Sequence, residues 1–209
     1  MKTVCITGAN RGIGLALAAK YAQTHQVIAV CRKSSEALQK LPNTNIIEGI
    51  DINNHHCRES LVDTISNIDI LILNAGILES DLPDISKHEH SIQQQIQTNA
   101  ISPLILAKMC LSKLTPEAKI MFMTSRMGSQ DDNLSGGLDG YRMSKAALNS
   151  AGCNLAHELL DQNTGVFLIH PGYIKTDMTH NQGRKSPNEA AQNIIKLLDQ
   201  LSIENTGQF

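Results

Sequence analysis

Short apolar runs rich in Val and Ile alternate along the chain with longer segments whose apolar residues recur at helical spacing. Six of the short runs read as strands: Thr3–Thr7, Gln26–Cys31, Asn45–Ile50, Ile68–Leu73, Lys119–Thr124 and Gly165–His170. Each is nearly continuous in apolar residues, the pattern of a strand covered on both faces. The segments between them read as helices over Ile13–Thr24, Ser35–Lys40, His55–Ser66, Lys87–Leu114 and Gly140–Asp161, with a last one from Pro187 to Leu201. The start of that last helix is signalled by Ser186 as N-cap, Pro187 at the first helical position and Glu189 completing a capping box. Alternation of this kind, with no repeat and no linker-like stretch, predicts an α/β fold. The expected form is a single doubly wound domain over residues 1–209, with a mostly parallel sheet and helices on both faces. Ligands in such folds bind beyond the carboxyl ends of the strands, so chemistry is sought just after each strand.

Composition narrows the classes. With 209 residues, 41% of them apolar and 18% charged, the chain can bury one continuous core, which excludes a disordered protein. A net charge of −2 leaves no basic surplus for a run of phosphates, and with no Trp and 3% aromatics there is little to stack on bases. No nucleic-acid partner is expected. No apolar run approaches the ~20 residues that cross a bilayer. After Met1-Lys2 the apolar stretch is broken by Asn10 and Arg11, so neither a membrane partner nor a signal peptide is expected. Five scattered cysteines without CxxC spacing argue for reduced thiols and a cytoplasmic location rather than a disulfide framework or a zinc site. His55-His56-Cys57 lacks partners for a tetrahedral set, and no metal is expected.

The first strand runs into Thr7-Gly8-Ala9-Asn10-Arg11-Gly12-Ile13-Gly14 and then a helix. Glycines at these spacings allow a tight turn and close approach of backbone to a ligand. The helix N-terminus offers free N–H groups to a pyrophosphate. The second strand ends in Cys31-Arg32-Lys33, where an acid would hold the ribose 2′-hydroxyl of NAD. Arg32 and Lys33, with Arg11 in the glycine turn, instead suit a 2′-phosphate, and the site reads as built for NADP(H). Tyr141 and Lys145 are four apart near the start of a predicted helix and share one face. A neighbouring ammonium favours the phenolate, and a tyrosine tuned in this way serves as acid or base toward a carbonyl or alcohol. Ser125 lies just past a strand end, with Ser129 as competitor. Asn99 sits within the long helix, where Pro103 predicts a kink that frees backbone groups. His88 and His90 read as solvent-facing.

Taken in order, Thr7-Gly8-x3-Gly12-Ile13-Gly14, Asn74-Ala75-Gly76, Asn99, Ser125-x2-Gly128, Tyr141-x3-Lys145 and Pro171-Gly172 resemble the short-chain dehydrogenase/reductase family over nearly the whole chain. The stretch Gly140–Asn149 looks most like its sniffer, C-factor and carbonyl-reductase branch. The resemblance implies a Rossmann-like sheet of strand order 3-2-1-4-5-6. A seventh strand is usual in the family, and this sequence reaches Phe209 about where it would begin, so six strands or a short seventh are expected.

The implied activity is NADP-dependent hydride transfer between cofactor and a small carbonyl or alcohol substrate. Tyr141 is the implied acid/base, Lys145 lowers its pKa and holds the nicotinamide ribose, Ser125 polarises the carbonyl, and Asn99 helps hold a proton-relay water. Ser125 is preferred to Ser129 because it matches the Ser-x2-Gly motif. The implied cofactor-binding residues begin with the glycine turn: Gly8, Asn10, Arg11, Gly12, Ile13 and Gly14. Arg32 follows, with Asp51 and Ile52 beside the adenine and Asn74, Ala75 and Gly76 on the adenosine side. Tyr141 and Lys145 contribute again, Pro171 and Gly172 turn beside the nicotinamide, and Thr176 lies near its carboxamide. Thr176–Lys185 corresponds to the family's substrate lid, with Gly183 as a hinge, and Arg126–Leu138 forms the other wall of an open pocket. The two long helices pair with their copies in many members, which favours a homodimer over a monomer. The competing reading is a catalytically idle dinucleotide sensor on the same fold, and the Asn–Ser–Tyr–Lys set weighs against it.

Overall fold

The computed structural model describes residues 1–209. Six strands form one sheet: β1 (Thr3–Thr7), β2 (Gln26–Val30), β3 (Thr44–Ile47), β4 (Ile68–Leu73), β5 (Leu114–Met123) and β6 (Gly165–Ile169). Every neighbouring pair is parallel and the order is β3-β2-β1-β4-β5-β6, as expected. The helices are α1 (Gly12–Tyr21), α2 (Glu36–Gln39), α3 (His55–Thr64), α4 (Ile85–Ile96), α5 (Ser102–Met109), α6 (Asp139–Glu158) and α7 (Pro187–Gln200).

The strands read as apolar runs because each serves two cores at once. Successive side chains point to opposite faces. Cys5, Ile28, Val30, Leu71, Phe122 and Leu168 face one core, which α3, α5 and α6 cover with Leu61, Leu106, Leu148 and Leu155. Their neighbours Val4, Ile6, Ala29, Ile72, Met121 and Phe167 face the other, covered by Leu17, Leu38, Ile194 and Leu198.

Two expectations are corrected. Lys87–Leu114 is not one helix. It begins at Ile85, where Asp84 accepts from Lys87 N at 3.0 Å, and a π-helical stretch Gln97–Ile101 separates α4 from α5. Pro103 lacks the N–H that an α-helix would give the Asn99 carbonyl, so the ladder slips to i→i−5 spacing, with Ser102 N donating to Gln97 O. A 3₁₀ turn, Leu111–Lys113, then ends the helix, and Leu114 already belongs to β5. β5 starts early because Leu114 pairs with Ile68 before a register shift brings Lys119 opposite Ile70. The sheet keeps to six strands, one of the two forms expected. Thr206–Gln208 runs along the outer edge of β6, with Gly207 N donating to Val166 O at 2.8 Å.

Candidate active site

A cleft of about 870 Å³ opens at the carboxyl ends of the strands. Most of the sequence-predicted residues form its wall. Gly8, Asn10, Arg11, Gly12 and Ile13 line it from the glycine turn, and Arg32, Asp51 and Ile52 from the ends of β2 and β3. Asn74, Ala75 and Gly76 line it from the loop after β4, Tyr141 and Lys145 from α6, and Pro171 and Thr176 from the segment after β6. Gly14, Gly172, Asn99 and Ser125 are not in that wall. Gly14 packs beneath it, where a Cβ would lie 2.2 Å from Gly8 O, so only glycine lets α1 approach β1 this closely. Gly172 (φ +94°) turns the chain after Pro171.

The glycine turn is held by its neighbours. Thr7 Oγ1 accepts from Asn74 N and Ala75 N, both at 3.1 Å, tying the ends of β1 and β4 together. Asn74 Nδ2 donates to Thr7 O at 3.0 Å and Gly8 O at 3.3 Å. Asn10 Nδ2 donates to Lys33 O at 2.8 Å and fixes the turn against the end of β2. The first turn of α1 has no side-chain cap and no acidic residue, so its N–H groups remain open to an anion. Arg32 lines the same end of the cleft. Arg11 is already engaged, with Nη1 2.8 Å from Asp177 Oδ2 on the segment after β6.

At the other end of the cleft stand Tyr141 and Lys145, one turn apart on α6. Lys145 is buried, donates to Met123 O at 2.8 Å, and lies 5.6 Å from the centre of the Tyr141 ring. Burial alone lowers its pKa to about 8. Burial pushes the Tyr141 phenol up, and a hydrogen bond with the Ser125 hydroxyl pulls it part of the way back. The net direction is upward, opposite to the lowering expected from a neighbouring ammonium. Ser125 is buried, and its Oγ accepts from Met127 N at 3.2 Å. The Ser-x2-Gly spacing has a steric cause: a Cβ on Gly128 would lie 2.7 Å from the Lys145 carbonyl carbon, so glycine seats this loop against α6. Ser129 is half-buried and follows that turn.

The side chain of Asn99 is fully used. Its Oδ1 accepts from Ile77 N at 2.8 Å, and its Nδ2 donates to Ile77 O at 2.8 Å and Ser144 Oγ at 2.9 Å. It fastens the loop after β4 to α6 and leaves only its main chain for other work.

Sequence reasoning missed several residues. Arg58 is buried on α3 and donates to Ile52 O, shaping the loop after β3. Glu79, Gln94 and Met178 line the cleft, as does Asp177. No motif marks them, but all lie in segments that follow strand ends or face them. Gly183 is not a hinge. A Cβ there would lie 2.1 Å from the Ile174 carbonyl carbon, and Lys175 N donates to Lys185 O at 2.9 Å, closing the segment into a pinned loop. His88, read as solvent-facing, is only 16% exposed.

The family described as short chain dehydrogenase matches residues 2–187. A 1-hydroxy-2-glutathionyl-2-methyl-3-butene dehydrogenase of Rhodococcus sp. (strain AD45) is 33% identical over all of this chain and 96% of its own. The carbonyl reductase Sniffer of D. melanogaster superimposes with a TM-score of 0.90 at 29% identity, covering 99% of this chain and 95% of that one. An NADPH-bound carbonyl reductase from chicken fatty liver superimposes with a TM-score of 0.87 at 25% identity, covering 99% and 90%. No helix is long and apolar enough to cross a membrane.

Proposed function

Because the chain belongs to the short-chain dehydrogenase family and is an oxidoreductase of that family, we propose that it catalyses NADP(H)-dependent interconversion of a small carbonyl and its alcohol, with Tyr141 as the acid/base. The observation that carries this reading is the pairing of Tyr141 and Lys145 at one end of a cleft, with Ser125 buried behind the phenol, while the other end offers an open helix N-terminus and two arginines. The cofactor fits the residues present. Gly8 and Gly12, both at positive φ, give its phosphates a backbone cradle at α1, and Arg32 and Arg11 suit a 2′-phosphate. Asp51 and Ile52 would flank the adenine, Lys145 would hold the nicotinamide ribose, and Pro171, Gly172 and Thr176 would border the ring. An NADPH-bound structural neighbour supports the choice of cofactor.

Once bound, the nicotinamide supplies the hydride chemistry, and the chain supplies placement and a proton. Burial keeps the Tyr141 phenol protonated at neutral pH, the form that gives a proton to a carbonyl oxygen. The Ser125 hydroxyl, its oxygen accepting from Met127 N, has one hydrogen, which turns from the phenol to the carbonyl oxygen when substrate is present. The Asn99 main-chain carbonyl, without an i+4 N–H because of Pro103, holds the water that returns a proton toward Lys145 and Tyr141. In the reverse direction the phenolate takes the alcohol proton.

A sensor on the same fold has no use for a phenol held protonated beside a serine, which weighs for the enzyme. We place the protein in the cytoplasm, consistent with five free cysteines, and as a homodimer through the outer face of α6. The test is a carbonyl panel with NADPH: Tyr141→Phe should bind NADPH and lose turnover. Full turnover by that variant refutes the assignment.

A further inference from the structure

The helix that carries Tyr141 begins in an unusual way. Gly136 (φ +64°), Gly137 (φ +69°) and Leu138 (φ +58°) approach it in succession at positive φ, and Leu138 is its N-cap. A leucine in the left-handed region persists only where the surroundings hold it. Its own side chain makes no cap. The cap comes from Asp81, in the loop after β4. Its Oδ2 accepts from Leu138 N at 2.6 Å and its Oδ1 from Asp139 N at 2.9 Å. Arg142, beside Tyr141, holds the same approach from the helix side, donating to Gly137 O at 3.0 Å and Ser135 Oγ at 3.1 Å.

Asp81 is itself braced by His88 on α4. His88 Nδ1 accepts from Leu82 N at 3.3 Å, so the neutral ring carries its proton on Nε2. That nitrogen lies 3.3 Å from Asp139 Oδ2 and 3.9 Å from Asp81 Oδ1, between two carboxylates. One ligand-type atom from each of Asp81, His88 and Asp139 falls within 4.8 Å of the others, which invites a metal reading. The hydrogen bonds argue against it: both Asp81 oxygens already accept N–H donors, and the His88 nitrogen aimed at the carboxylates bears a proton. The cluster is a clamp. It joins the loop after β4, α4 and the first turn of α6, and Tyr141 is the third residue of that turn.

We propose that Asp81 and His88 are positioning residues for Tyr141: together they fix the first turn of α6 so that the phenol stands at the wall of the cleft. The inference rests on Tyr141 being the acid/base. It separates the clamp from the cofactor contacts: those at the glycine turn depend on β1, α1 and β2, and Lys145, in the second turn of α6, is anchored by its own bond to Met123 O. Loss of the clamp should therefore lower kcat and leave cofactor binding intact.

The experiment compares Asp81→Ala, His88→Ala and His88→Gln by circular dichroism, NADPH titration and steady-state kinetics on one carbonyl substrate. Asp81→Ala should lower kcat about 10- to 100-fold, the scale of a misplaced reacting group, with NADPH affinity unchanged. His88→Ala should lower kcat less. His88→Gln should restore it, because its amide accepts from Leu82 N–H and donates to Asp139. A folded Asp81→Ala protein with unchanged kcat overturns the proposal, as does an equal loss of kcat and NADPH affinity. If Asp81→Ala does not fold, the histidine pair decides: rescue by Gln supports the clamp, and equal loss in both variants overturns it. Tyr141→Phe measured alongside keeps the two ideas apart. Full turnover there refutes the acid assignment, whereas its loss together with a normal Asp81→Ala enzyme refutes the clamp alone.

Discussion

Arg11 in the glycine turn and Asp177 beyond β6 are 166 residues apart in sequence, yet their side chains meet at 2.8 Å. The pair joins the glycine turn on one side of the cleft to the segment after β6. Both partners are about two-thirds exposed, so water screens the contact and its own contribution to stability is small. Its effect on the cofactor is larger in principle, because Asp177 competes with a 2′-phosphate for Arg11. Asp177→Asn should tighten NADPH binding about two- to fivefold, the scale of one exposed pair, without changing NADH binding. Arg32→Asp should weaken NADPH about 10- to 150-fold, the cost of a lost charge-assisted contact. Fluorescence titration with both cofactors checks each. Equal affinity of the unmodified protein for NADH and NADPH would refute the arginine assignment.

Lys145 gives a prediction with a sign. Burial lowers its pKa from 10.5 to about 8. Below pH 8 the ammonium is charged in both the folded and unfolded chain, and its desolvation cost is fully present. Between about pH 8 and 10.5 the folded protein has shed the proton while the unfolded chain still holds it, so the cost fades as pH rises. Lys145→Met should therefore stabilise the protein at pH 7 by about 1–3 kcal/mol, after the lost bond to Met123 O is counted. The gain should vanish near pH 10, and turnover should be lost throughout. Thermal melts at the two pH values measure it. The kcat/KM profile of the unmodified enzyme should fall above about pH 8, since that parameter reports the free enzyme.

The two candidate serines separate cleanly. Ser125 is buried and draws the Tyr141 phenol down against the upward push of burial, whereas Ser129 has no such effect on it. Ser125→Ala should lower kcat about 100- to 1000-fold, as loss of one donor to a developing oxyanion does. Ser129→Ala should stay within about twofold, as for a loop residue with only local bonds. The reverse order would move the role to Ser129.

The outer face of α6 bears on assembly. Met143 is 50% exposed, and Ala147, Ser150 and Asn154 are also exposed, whereas Lys145 on the same helix is turned inward. A face of small, uncharged residues suits a twofold mate. Light scattering should give twice the 22.8 kDa chain mass, and Ala147→Glu should return it to one chain. A single-chain mass for the unmodified protein across a dilution series would overturn the dimer.

The sequence determined most of the frame. Nearly continuous apolar runs specify strands covered on both faces, and the Ser186/Glu189 box marks the start of α7 through local bonds of 2.8 and 3.2 Å. Gly8, Gly14 and Gly128 were legible because lack of a side chain is itself the signal. The Tyr141–Lys145 pair was legible because helix geometry puts residues four apart on one face. These are local rules, and local rules survive in a string of letters.

The tertiary structure decided whatever depends on segments distant in the chain. Nothing near Arg11 in sequence announces Asp177, and nothing near Leu138 announces Asp81, 57 residues away. His88 looked like a solvent-facing residue until α4 carried it between two carboxylates. The loop after β4 and α6 engage every polar atom of the Asn99 side chain, which leaves the proposed water to its main-chain carbonyl. Even the sign of the Tyr141 shift came from burial rather than from the neighbouring lysine. Desolvation and long-range hydrogen bonds are properties of the packed molecule, and a sequence records which groups are present but not which of them water can still reach.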